Sequence, residues 1–284
     1  MQSIVFFNTK GGTGKTTICY NYGWYLADKL DKKVLLLDFD PQTNLIQAFH
    51  KGSKTKSGKN LDSLFLDYFG GKNIFFQDYT ISINKNLELV PSSNNISLID
   101  DYMTDMVIEE SVSKSQKIPS IKRNSLLKEV LDSCIPADRY DYVLIDSQPN
   151  FNLLSTTAII YAKNILVVLR PELFSLLDIN YLSKVKNNLE KKFDVQINIL
   201  GILVNAFEKR KKVSKEVVKI LEDKYSDQFR VLENKMRYLS DYQKSITLQR
   251  KPVFRSFPSS GATKEILKVF SEIDGLIDGG IAEG

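Results

Sequence analysis

The sequence predicts an α/β fold, a doubly wound and mostly parallel sheet with helices on both faces. Three observations carry that expectation. Short, almost wholly apolar runs recur along the chain; stretches with apolar residues every three or four positions separate them; and a glycine-rich loop lies between the first run and the first helix. Continuous apolar strands point to a sheet buried on both sides, and strands alternating with helices point to parallel crossover units.

Taken in order, Ile4-Val5-Phe6-Phe7 is the first strand, and a helix follows from Thr16 to about Leu30. Lys33 to Asp38 reads as a buried strand of the parallel type, and Leu87 to Val90 as another, stopped by Pro91-Ser92-Ser93. Tyr142 to Ile145, Ile165 to Leu169 and Ile197 to Val204 complete the strand set. Leu176, Ile179, Leu182, Val185 and Leu189 keep a helical spacing between the last two. Residues 1–274 read as one domain with basic, polar surface insertions near 51–60 and 111–123. Residues 275–284 are acidic and glycine-broken and are expected to form a flexible tail.

Composition narrows the function classes. The chain has 284 residues, 43% of them hydrophobic, enough for a sizeable core. No apolar run approaches the roughly 20 residues that span a bilayer. The start, Met-Gln-Ser-Ile-Val, runs directly into a strand without a basic leader, so a secretory signal is not expected. Cys19 and Cys134 lie too far apart to indicate a disulfide framework or metal knuckle, and the single His50 argues against histidine-rich metal or triad chemistry. A cytoplasmic location is expected.

Chemistry concentrates in three places. Residues 10 to 17 read Lys10-Gly11-Gly12-Thr13-Gly14-Lys15-Thr16-Thr17, between a strand and a helix. In that context consecutive backbone N–H groups point inward at an anion, Lys15 reaches the β- and γ-phosphates of a nucleoside triphosphate, and Thr16 places its hydroxyl on Mg²⁺. Asp38-Phe39-Asp40-Pro41-Gln42 ends the second strand, where doubly wound sheets place ligands; two carboxylates one residue apart share a face of an extended chain. The pentapeptide alone is also what a strand running into a polar turn looks like. Tyr142-Val-Leu-Ile-Asp146 has the shape of a strand whose terminal carboxylate supports a metal shell.

Lys10 adds something an ordinary phosphate loop lacks. K-G-G-x-G-K-[ST] resembles the deviant Walker A motif of the ParA/MinD ATPases, and the resemblance extends over nearly the whole chain. It implies ATP and Mg²⁺ as cofactors, and a homodimer formed on ATP binding, in which Lys10 touches the phosphates held by the other subunit. Asp38 to Gln42 is similar to the family's switch I, which implies that Asp40 orients the attacking water while Asp38 joins Thr16 and Asp146 around the metal. Lys10, Lys15 and Asp40 are then the catalytic set, and Lys10 to Thr17 with Asn205, at the end of Ile199-Leu-Gly-Ile-Leu-Val, the nucleotide-binding set. Two places depart from the family pattern. The Pro-Pro pair of switch II is reduced to Gln148-Pro149, and Met236-Arg237-Tyr238 stands where relatives carry Ile-Pro-Arg near the base.

The formal net charge is +5, and its distribution matters more than its size. Lys209, Arg210, Lys211 and Lys212 are followed by Lys215 and Lys219, with Lys211, Lys215 and Lys219 on one face of an expected helix. Such clusters suit contacts to DNA phosphates without regard to sequence. Charge alone leaves open a solvated face partly balanced by Glu208, Glu216 and Glu222. The resemblance favours DNA: short, Soj-like ParA proteins segregate plasmids or chromosomes by coating non-specific double-stranded DNA of the nucleoid as ATP dimers, released when a ParB-like centromere-binding protein stimulates slow hydrolysis. A basic amphipathic membrane helix of the MinD kind is not expected from the acidic C-terminal segment. The alternatives are a ParA-like positioning ATPase with a protein cargo and, further off, a metabolic P-loop kinase or ligase.

Overall fold

The computed structural model describes residues 1–49, 55–113, 121–226 and 228–281. The strands are β1 (Gln2–Phe7), β2 (Val34–Phe39), β3 (Ile81–Asn84), β4 (Leu87–Val90), β5 (Tyr142–Ser147), β6 (Asn164–Leu169) and β7 (Asn198–Val204). The helices are α1 (Lys15–Lys29), α2 (Asn44–Phe49), α3 (Leu61–Phe69), α4 (Leu98–Ser113), α5 (Ile121–Cys134), α6 (Leu153–Ala162), α7 (Ser175–Phe193), α8 (Lys212–Tyr225), α9 (Ser240–Lys244), α10 (Val253–Ser256) and α11 (Gly261–Ile281). A π-helical turn, Ser245–Gln249, continues α9.

The seven strands form one sheet in the order β3-β4-β2-β5-β1-β6-β7, parallel except for β3, which pairs antiparallel with β4. The alternation of side chains along each strand builds two cores. Val5, Phe7, Leu35, Leu37, Val143, Ile145, Ile165 and Val167 face the side covered by α3 to α8. Ile4, Phe6, Val34, Leu36, Leu144, Leu166 and Val168 face the side of α1, α2 and α9 to α11. From β1 the chain leaves into α1 on one face and returns to β2 beyond β5; from β5 it leaves into α6 on the other face and returns to β6 beyond β1. The crevice between those departures, at the carboxyl ends of β1, β2 and β5, is where such sheets hold ligands.

Strand β3 is absent from the sequence reading. Ile81-Ser-Ile-Asn84 is a half-polar run of four residues, too short for its periodicity to register. It is tied back to β4 by a tight turn in which Asn84 Oδ1 accepts from the Asn86 N–H at 2.7 Å. The insertion expected at 111–123 also needs correction at its ends, because α4 runs to Ser113 and α5 begins at Ile121. His50, Lys51, Lys54, Lys114 and Lys117 lie outside the described residues.

The frayed tail expected from residue 275 is helical as far as Ile281. The apolar stripe of α11 continues into it: Ile266, Val269, Phe270, Ile273 and Ile277 are all buried. Asp274 then pins α11 to α1, accepting hydrogen bonds from Tyr22 Oη at 2.7 Å and Tyr25 Oη at 2.8 Å. Burial raises the Asp274 pKa, and the two hydroxyls oppose that shift. Replacing this carboxylate strands two tyrosine hydroxyls, each costing about 1–3 kcal/mol when buried without a partner. Asp274→Ala is therefore expected to lose about 2 kcal/mol or more in urea unfolding, and Tyr22→Phe to cost far less in that background than in the wild type. Equal costs in both backgrounds would mean that the triad is not a unit.

Candidate functional site

The glycine loop crosses the carboxyl end of β1 and delivers the N-terminus of α1 into a cavity of about 800 Å³ lined by Gly11 to Thr17, Asp40, Gln42, Asn44, Gln47, Pro149, Thr247 and Arg250, among others. Gly14 is the N-cap of α1 with φ +99, and no side chain caps the helix. The first-turn N–H groups are thus left for an anion. Gly14 is glycine for a second reason: a Cβ there would lie 2.2 Å from Asn205 Nδ2.

Two asparagines brace the loop. Asn205, at the end of β7, donates from Nδ2 to the Thr13 carbonyl at 2.7 Å. Asn8 is buried at the end of β1, where its Nδ2 donates to Val168 O on β6 at 2.7 Å and its Oδ1 accepts the Lys10 N–H at 3.0 Å. Sequence reasoning missed Asn8. Its signal is an amide side chain at the point where the backbone leaves the sheet, a common substitute for lost backbone partners. Asn205 also lines a second cavity of about 330 Å³, with Arg170, Met236, Arg237, Tyr238 and Gln243. In the stretch that departs from the family pattern, Met236 is buried and Arg237 pairs with Glu265.

Asp38 and Asp146 are register partners on β2 and β5, side by side at the strand ends. Both are fully buried. Asp38 Oδ1 accepts the Asp40 N–H at 3.1 Å, but its Oδ2 and both oxygens of Asp146 have no hydrogen-bond partner in full geometry. Burial pushes the Asp146 carboxyl up to about 7; the Thr16 hydroxyl and the Lys15 charge pull it down, and Asp40 adds to the rise. Asp38 is also raised well above the usual carboxylate range, by burial first and by Asp146 second. Lys15 is itself buried, its pKa lowered by desolvation against the pull of Asp146 and Asp40. Its Nζ folds back over the loop, 3.2 Å from Lys10 O and 3.4 Å from Asn8 O.

Orphaned carboxylate oxygens beside the Thr16 hydroxyl fit a hard divalent cation. Among the described residues no group of three or more His, Cys, Asp or Glu is arranged to hold a metal by protein ligands alone. The fit is therefore to Mg²⁺, which keeps its waters and takes its remaining ligands from phosphate oxygens.

Asp40 lies above this pair and lines the larger cavity. Its Oδ1 accepts the Gln42 N–H at 2.9 Å, and its carbonyl accepts from Ser92 Oγ at 2.9 Å, which ties the loop after β2 to the end of β4. On the other wall, Asn150 takes φ +92, a conformation asparagine tolerates far better than most residues, and its carbonyl accepts from Ser155 Oγ at 2.7 Å. This is how the chain turns into α6 with Gln148-Pro149 in place of two prolines.

Lys10 stands apart from the other loop residues. Its Nζ lies 3.2 Å from Asp178 Oδ2 on α7 and 5.6 Å from the centre of the Phe174 ring. In the single chain it is turned away from its own phosphate cradle. The pair is partly open to water, so it contributes no more than about 1 kcal/mol and is easily exchanged for a phosphate. Asp178 carries no signal of its own in the sequence.

The basic stretch expected to meet DNA is exposed throughout, in the turn before α8 and on its outer face. Lys211 is paired with Glu208, and Lys212 with Glu216 at 3.6 Å. Lys209, Arg210, Lys215 and Lys219 have no ion pair among the described residues. Glu222 instead meets Lys235.

Several known proteins resemble this chain. A family model described as AAA domain (AAA_31) matches residues 1–199. The virulence plasmid ParA family protein pGP5-D of Chlamydia psittaci is 28% identical over 278 residues, 96% of this chain and 95% of its own. The chromosome-partitioning ATPase Soj of Treponema pallidum is 28% identical over 201 residues, 71% of this chain and 70% of its own. An ATP complex of McdA from Cyanothece shares the fold, with a TM-score of 0.77 at 21% identity over 97% of this chain and 96% of that one.

Gly14→Ala tests the loop geometry. The substitution forces a side chain into a left-handed conformation and into Asn205, so binding of a fluorescent ATP analogue is expected to fall at least tenfold while the far-ultraviolet spectrum is kept, because about 1–2 kcal/mol of backbone strain falls at the phosphate cradle itself. Unchanged binding would mean that the loop does not hold the nucleotide in this form.

Proposed function

Because the chain belongs to the ParA/MinD family of P-loop ATPases, we propose that it is a DNA-partition ATPase, whose ATP-bound dimer holds double-stranded DNA without sequence preference and lets go on slow hydrolysis. The observation that carries this reading is the surface from 209 to 219, where Lys209, Arg210, Lys215 and Lys219 project from the turn and outer face of α8 without acidic partners among the described residues. The near full-length likeness to a plasmid ParA family protein supports it, and a ParB-like centromere-binding protein is the expected stimulator. The setting proposed is the cytoplasm, on the nucleoid.

The chemistry asks for positioning and charge neutralisation. The loop N–H groups and Lys15 hold the phosphates of ATP, and Asn205 with Asn8 keeps the loop shaped to receive them. Thr16, with Asp38 and Asp146 behind it, would hold Mg²⁺, which when bound would neutralise charge on the phosphate oxygens. Asp40, at the cavity wall, orients a water; its oxygen bonds to the γ-phosphorus as the bond to the ADP oxygen breaks, and the proton passes toward the carboxylate. Lys10 leaves Asp178 and reaches the phosphates of the other subunit, so that each half-site is completed only by dimerisation.

Three variants and one titration separate these roles. Asp40→Ala is expected to bind ATP and dimerise but to lose at least about 100-fold in turnover. Lys10→Ala is expected to remain an ATP-binding monomer by light scattering; a persisting ATP-dependent dimer would remove Lys10 from its role across the interface. Random duplex DNA should bind tightly only in the presence of ATP or a slowly hydrolysed analogue. With four to six phosphates contacted, affinity should fall roughly 100- to 1000-fold between about 50 and 200 mM salt. Lys215→Glu with Lys219→Glu should reduce both the affinity and the salt slope. Binding that ignores nucleotide or salt, or no binding in any state, would overturn the partition reading and favour a protein cargo.

A further inference from the structure

Helix α4 is apolar on two sides. Its inner side buries Ile99, Met103 and Val107. On its outer side Leu98, Tyr102 and Ile108 are exposed by 57%, 36% and 54%. At about 100° per residue, these three and Asp101, Asp105 and Glu109 fall within one arc of roughly 120°, and all six are exposed. A helix that only covers a sheet needs one apolar stripe. The second stripe is interleaved with carboxylates that form no ion pair among the described residues. The acids on the helix flanks do find partners: Asp100 meets Arg123 at 2.6 Å, and Glu110 meets Lys122. No lysine or arginine occurs between Leu98 and Ser113, in a chain whose net charge is +5.

We propose that this outer face of α4 docks a cationic amphipathic segment of a partner protein, with apolar side chains on Leu98, Tyr102 and Ile108 and Lys or Arg side chains opposite Asp101, Asp105 and Glu109. The charge selects the occupant. DNA and anionic lipid are repelled, and a purely apolar partner would desolvate three carboxylates without counter-charge. A second copy of the chain offers the basic stretch on α8, but Val213 is the one large apolar residue exposed there. That surface supplies charge without the apolar half of the match. The docking face lies outside the nucleotide site, and its occupancy does not depend on whether the chain holds DNA.

The test uses the full chain and a fluorescein-labelled helical peptide of about 16 residues, with leucines at i, i+3, i+4 and i+7 and lysine or arginine elsewhere. Controls are the same composition with the apolar face scrambled, and the same peptide with glutamate for each base. Anisotropy titrations at roughly 50 and 300 mM salt should give binding of the amphipathic cationic peptide, weakened by salt. The scrambled control should bind at least about tenfold more weakly, and the acidic control not at all. Asp101→Lys with Asp105→Lys and Glu109→Lys should lose at least tenfold, and Tyr102→Ser several-fold; the latter carries the test if the charge-reversed chain does not fold by circular dichroism. No binding by the wild type, or equal binding of the scrambled peptide or by the folded variants, would overturn the proposal. So would nucleotide-independent self-association that the charge reversal abolishes, because the occupant would then be a second copy.

Discussion

Two carboxylates placed side by side set the terms for this molecule. The parallel register of β2 on β5 puts Asp38 directly opposite Asp146, both fully buried and without a complete set of protein donors. Burying like charges is unfavourable, and the raised pKa values record it. A proton on one carboxyl or nearby positive charge relieves that arrangement. Lys15 and the Thr16 hydroxyl relieve part of it from the start of α1, and a bound Mg²⁺ would relieve more. The site therefore holds its strongest electrostatic demand beneath the phosphate cradle, where it acts on the nucleotide and is kept from bulk solvent.

The rest of the fold keeps that demand in place. Alternation along the strands gives the sheet two dry faces, so β2 and β5 cannot slip by one residue without turning Asp38 and Asp146 into a core. Asn8 ties the loop to β6 and Asn205 ties it to β7, so three neighbouring strands, β1, β6 and β7, converge on one turn of backbone. Lys10 is the exception to this rigidity. Its backbone is fixed by Asn8, but its side chain rests on a partly solvated carboxylate and an exposed ring. A fixed backbone with a cheaply released side chain is what a residue needs if it serves a second site.

Much of this was legible in the sequence because it rests on local patterns. Apolar runs marked six of the seven strands, and the glycine spacing marked the loop between β1 and α1. Contacts between distant segments were not legible. Asp178 meets Lys10 across 168 positions (178 − 10), and Asn8 earns its meaning only from Val168 on a neighbouring strand. Asp274 lies in a segment whose glycines and acids indicate disorder, yet two tyrosines from α1 hold it. Strand β3 fails for a different reason: four residues, two of them polar, carry too little periodicity. Helix α4 is subtler still, since apolar residues on both sides erase the one-sided pattern by which a surface helix is recognised.

That erased pattern bears on how one face of the molecule is divided. Helices α3 to α8 cover the same side of the sheet. Helix α4 follows β4, next to one edge, and α8 follows β7, at the other edge. The first is acidic with exposed apolar residues; the second is basic with almost none. A polyanion drawn to α8 is pushed away from α4 by the same field, so the two surfaces do not compete for one ligand. A cationic protein segment is drawn to α4 and repelled from α8. If the chain holds DNA at α8 as proposed, opposite charge at the two ends of one face leaves α4 open to a cationic protein segment while the DNA stays bound.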